Sequence, residues 1–163
     1  MTRAAERALA AGREARRRGD LNEAARLVGS AFARFQRAGD QTGMARALID
    51  VAAVALDGRD DDTAARALAQ ALGLVDPDDD PTTAALIVAT VARLAVDAGD
   101  PATAVRLQAG AAALEGGGAM VDGPLIERAR EALGPETVDE LWAAGSASAP
   151  AEVVALARAR AGG

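Results

Sequence analysis

The chain repeats itself every 40 residues, and no other feature limits its fold as strongly. Gly19-Asp20-Leu21-Asn22-Glu23-Ala24-Ala25-Arg26 lines up with Arg59-Asp60-Asp61-Asp62-Thr63-Ala64-Ala65-Arg66 and with Gly99-Asp100-Pro101-Ala102-Thr103-Ala104-Val105-Arg106. Asp20, Asp60 and Asp100 coincide, as do Ala24, Ala64 and Ala104, and Arg26, Arg66 and Arg106. The stretches before them align too: Ala8 with Leu48 and Val88, Ala11 with Val51 and Val91, Gly12 with Ala52 and Ala92, and Ala15 with Ala55 and Ala95.

Inside each unit the apolar positions recur at three and four residues, the spacing of one helix face. The Asp at each junction suits an N-cap, where its carboxylate accepts from the orphan N–H groups of the following helix. Gly19 and Gly99 fall where a left-handed residue ends the helix before, and Pro101 where a missing donor costs nothing. Alanine dominates the apolar residues, and it has the best intrinsic helix propensity. The expected helices span residues 2–18, 21–38, 41–57, 61–75, 81–98 and 101–115, forming three antiparallel pairs.

This spacing resembles the tetratricopeptide repeat. That family has a small residue midway along the first helix, an Ala twelve residues later and another after seven more. Gly12, Ala24 and Ala31 occupy those sites here, then Ala52, Ala64 and Ala71, then Ala92, Ala104 and Ala111. The period of 40 exceeds the family's usual length of about 34, which implies helices about a turn longer, and the bulky aromatic sites of the consensus are mostly aliphatic. The resemblance implies an all-α fold: a right-handed superhelical stack of antiparallel helix pairs, an α-solenoid, closed by a C-terminal helical cap. Residues 1–115 would hold the three pairs and residues 116–163 the capping helices of the same domain.

After Leu114 the pattern breaks at Gly116-Gly117-Gly118, and shorter helices are expected near 124–133, 135–144 and 149–161. The stretch from Ala104 to Ala161 resembles the end of the repeat region in ATP-binding LuxR-type transcriptional regulators of actinobacteria. The residues that carry the likeness are Ala104 to Leu114, Ala132-Leu133-Gly134, Trp142 with Gly145, and Ala151-Glu152-Val153-Val154-Ala155-Leu156-Ala157. P-loop, helix-turn-helix and winged-helix patterns are all missing. The resemblance therefore implies the sensory or partner-binding part of such a regulator without its ATPase and DNA-binding parts. Trp142, in a terminal helix, is expected to anchor the cap in the core.

Composition removes most chemistry. The chain has no Cys, His, Tyr or Lys, and all 18 of its basic residues are Arg. Thiol catalysis, thiolate metal sites, Schiff bases and the commonest general base are therefore closed to it. No catalytic, cofactor-binding or metal-ligating residue is expected, and the chain is not expected to be an enzyme. A net charge of −6 argues against direct nucleic-acid binding, which needs a basic face. The longest uncharged apolar stretch, around Thr82 to Ala92, is too short for a bilayer. Without a secretory signal at the N-terminus the expected location is the cytoplasm, and the Arg-rich, Lys-free composition suits a GC-rich bacterial genome.

In a tetratricopeptide-like stack the first helix of each pair lines the concave face. Glu6, Leu9, Arg13, Arg16 and Arg17, then Arg46, Ile49, Asp50 and Ala53, then Leu86, Ala89, Thr90 and Arg93 flank the buried stripe on those helices. Leu9, Arg13, Arg16, Arg46, Ile49, Leu86 and Arg93 are the candidate groove: guanidinium groups for carboxylates, with Leu9, Ile49 and Leu86 for apolar contact. Arg13-Glu14-Ala15-Arg16-Arg17-Arg18 reads as cations near a helix C-terminus. Asp60-Asp61-Asp62 reads as a capping run, and Asp76 with Asp78-Asp79-Asp80 as a solvated loop without the EF-hand spacing. The expected function is a non-catalytic protein-interaction or regulatory module whose partner is another protein or peptide with an acidic segment. The other class in view is a small-molecule sensor whose groove closes on a ligand. Self-association through the open N-terminal pair is a further expectation, whereas membranes are not an expected partner.

Overall fold

One aspartate at each junction both ends a helix and begins the next. The backbone N–H of Asp20 donates to the Ala15 carbonyl at 3.0 Å and that of Gly19 to Arg16 at 2.9 Å, closing the first helix. The Asp20 side chain then accepts from the Glu23 N–H at 3.0 Å and opens the second. Asp60 and Asp100 repeat the arrangement, their N–H groups bonding to Ala55 and Ala95 and their carboxylates accepting from Thr63 and Thr103. Asp40, Asp80 and Asp122 cap in the same way, through Gly43, Thr83 and Leu125. The capping signal thus recurs about every 20 residues and opens six successive helices, and each such cap contributes about 1 kcal/mol.

The computed structural model describes residues 2–116 and 121–162, so Gly117 and Gly118 of the expected break lie outside the described residues. Nine helices and no strand occur among the described residues: α1 (Thr2–Arg17), α2 (Leu21–Ala38), α3 (Gln41–Asp57), α4 (Asp61–Leu72), α5 (Pro81–Asp97), α6 (Pro101–Leu114), α7 (Gly123–Leu133), α8 (Pro135–Ala147) and α9 (Pro150–Gly162). The chain is all-α, as its periodicity predicts. Two boundaries move by three residues: α4 stops at Leu72, just before Gly73, and α8 runs on to Ala147.

The residues group into two compact units, Met1–Val75 and Asp76–Gly163. In the first, α1 pairs with α2 and α3 with α4, while α3 also packs on α2 and touches α1. Ala5, Leu9, Val28, Ala31, Phe35 and Ala47 form an apolar cluster there. In the second, α5 pairs with α6, and α7, α8 and α9 all pack on α6. α6 therefore shares its unit with the helices that follow it. Its eight buried residues, among them Val105, Leu107, Ala109 and Gly110, need cover on several sides, and three C-terminal helices supply it.

All nine small positions of the repeat are buried, and their eight alanines are fully so. They let paired helices approach closely: a methyl group added at Gly12 on α1 would stand 2.7 Å from a Val28 methyl of α2. Gly145 does the same for α8, which meets α6 backbone to backbone at Arg106. Trp142 is not the buried anchor expected of it. It is only partly buried and, with Val121, Ile126 and Val138, lines a hollow of about 230 Å³ between α7 and α8. The close contact at Gly145, one turn further on, has no room for an indole, and Val138, 1% exposed, fills the interior instead.

Candidate functional site

Helices α1 and α3 are the first members of consecutive pairs and lie side by side. Two ion pairs tie them together. The Arg13 Nε donates to both carboxylate oxygens of Asp50, at 2.7 and 3.0 Å, and the Arg16 Nη1 donates to Asp57 at 2.9 Å. Asp50 is 7% exposed, whereas the Arg13 side chain is 48% exposed. Burial pushes the Asp50 carboxyl above its ordinary value, and the nearby charges of Arg13 and Arg16 act the other way. A buried carboxylate of this kind needs its cation, because a lone charge in the interior is costly.

A cleft of about 300 Å³ opens beside the Arg13–Asp50 pair, inside the first unit. One wall is α1, through Glu6, Leu9, Ala10 and Arg13; the other is α3, through Thr42, Gly43 and Arg46. Phe35 and Asp40 close the end at the α2–α3 turn. Gly43 is needed there, since the Phe35 ring occupies the space a Cβ would take. The result is an apolar floor under a mixed-charge rim. Arg46 and Glu6 are exposed and make no ion pair among the described residues, and Asp40 uses one oxygen to cap Gly43 at 2.8 Å.

Three of the seven candidate residues, Leu9, Arg13 and Arg46, meet in this cleft. Leu9, 6% exposed, packs with Val28 and Phe35 of α2 and forms the apolar floor of the cleft. Arg16 is held by Asp57 a turn further along α1, and Ile49 is partly buried on α3. Leu86 and Arg93 lie on α5 in the other unit, where Asp97 sits 3.7 Å from Arg93 and 2.8 Å from Arg128. Sequence reasoning missed Asp40, Thr42 and Gly43. Their signal was present in Gly39-Asp40, which repeats the junction at Gly19-Asp20 after 20 residues.

Fold and cleft together define an all-α protein of helical-repeat type with a small amphipathic cleft. The chain matches no family model, no curated protein and no solved structure. Among the described residues no helix is long and apolar enough to cross a membrane.

Proposed function

We propose that the chain is a non-catalytic protein-interaction module that takes a segment of its partner into the α1–α3 cleft. One observation carries this reading: Arg46 stands exposed and without an ion pair among the described residues, beside the apolar floor made by Leu9 and Phe35. A guanidinium with all its donors open is a carboxylate receptor, and an adjoining apolar floor adds contact area. The absence of His, Cys, Lys and Tyr speaks for binding without chemistry. The resemblance to LuxR-type regulators supports a place as the sensory or partner-binding part of a bacterial transcriptional regulator system. A second reading, a small-molecule sensor using the same cleft, is favoured by its volume of about 300 Å³, which lies at the small-ligand end of binding sites.

Titration of fluorescent peptides carrying a carboxylate side chain beside a large apolar one tests the proposal. Arg46→Glu, a surface change, weakens the tightest of them at least tenfold while the helical circular dichroism stays as it was. Equal affinity for both proteins would overturn the cleft reading. Calorimetry against a metabolite panel, with binding lost in the same variant, would favour the sensor.

A further inference from the structure

The charges of the cleft do not suit a purely acidic ligand. Arg13 is neutralised by Asp50 behind it, at 2.7 Å. Counting that residue, three carboxylates (Glu6, Asp40 and Asp50) surround two guanidiniums (Arg13 and Arg46). The register of the two walls adds to this. Arg13 meets Asp50, 37 residues on, and Arg16 meets Asp57, 41 residues on. The two walls run the same way along the chain and bring Glu6 of α1 and Arg46 of α3 into one cleft. The two line the same cleft, yet Glu6 makes no ion pair with Arg46. They are the two poles of an open gap over an apolar floor.

From this we infer that the cleft reads a dipolar peptide segment: a carboxylate side chain bound at Arg46 and a basic side chain, two residues away in sequence, bound at Glu6. Residues i and i+2 of an extended peptide project to the same side roughly 7 Å apart, so such a pair bridges two facing poles while the backbone crosses the floor. An acid alone gains at Arg46 but meets Glu6 and Asp40; a base alone gains at Glu6 but meets Arg46. The inference rests on the proposed function and adds the chemistry of the partner.

Three fluorescent octapeptides with the same apolar residues test it: one with Asp and Arg separated by a single residue, one with the Asp only and one with the Arg only. The full chain binds the dipolar peptide at least tenfold tighter than either single-charge peptide. In Glu6→Gln the dipolar peptide weakens at least fivefold and the Asp-only peptide tightens, since the carboxylate that repels it is gone. Equal affinity for the dipolar and Asp-only peptides, or a Glu6→Gln variant that leaves their ratio unchanged, overturns the inference and leaves the proposed function standing. No binding of any of the three overturns both.

Discussion

Gly145→Ala is the sharpest test of how the second unit is held together. A methyl group at this position of α8 would run into the Arg106 carbonyl and stand 2.8 Å from the Ala109 Cβ and 2.9 Å from the Arg106 Cα of α6. Comfortable carbon contacts lie near 3.5–4.0 Å, so the overlap is about 1 Å. None of the obstructing atoms belongs to a flexible side chain, so no rotamer change relieves it and α8 must move off α6. Forcing a methyl into a packed interior typically costs about 1–3 kcal/mol, and the rigid neighbours place this site at the upper end. Alanine returns up to about 1 kcal/mol through helix propensity, leaving a net loss of about 2 kcal/mol. Urea unfolding followed by the emission of Trp142, the only tryptophan and itself on α8, reads that loss directly. The control is Gly29→Ala in α2, where nothing lies within 4 Å of the added methyl and propensity alone should stabilise by about 0.5–1 kcal/mol, read by circular dichroism. A Gly145→Ala protein as stable as the parent would refute the backbone-to-backbone packing of α8 on α6.

The α3–α4 junction carries Arg59 at φ 60°, where the equivalent positions 19 and 99 carry glycines at φ 81°. Left-handed backbone costs a side-chain-bearing residue about 1–2 kcal/mol, and glycine returns about 0.4–1 kcal/mol of that through the entropy of the unfolded chain. Arg59→Gly should therefore stabilise by about 0.5–1 kcal/mol in urea denaturation, and a destabilised variant would count against the shared junction geometry. Asp50 predicts a pH effect of defined sign. Its folded pKa is raised above the ordinary 3.8, so ionising it costs stability, and that loss sets in as pH rises from about 3.8 through the raised value. Asp50→Asn should melt no lower than the parent at pH 7, with the gap closing as pH falls towards 4. A parent that gains on the variant as pH rises would show instead that the Arg13 charge outweighs burial.

How much of this was legible in the sequence depends on how far apart in the chain the interacting groups lie. The junctions were legible because each is complete within about eight residues: Ala15 to Glu23 contains both the closing and the opening hydrogen bonds around Asp20. The helix pairs followed from the same local signals and from small residues at a fixed spacing. The contact of α8 with α6 was not legible, because Gly145 lies beyond the three aligned repeats and a lone glycine in a helix has many readings. The site lies between these cases. A 40-residue period identifies Arg13, Arg46 and Asp50 as sharing the faces of α1 and α3, but it does not say which residues stand opposite one another. That depends on the offset between the walls, which is 37 at Arg13 and 41 at Arg16. The difference has a chemical consequence. At an offset of 40, Arg13 would face Ala53 and remain open to ligand; at 37 it is taken by Asp50, and the open guanidinium in the cleft is Arg46, one turn earlier on α3. Sequence periodicity can therefore locate a binding face on a repeat protein of this kind, while the charge that the face offers is decided by a shift of three residues.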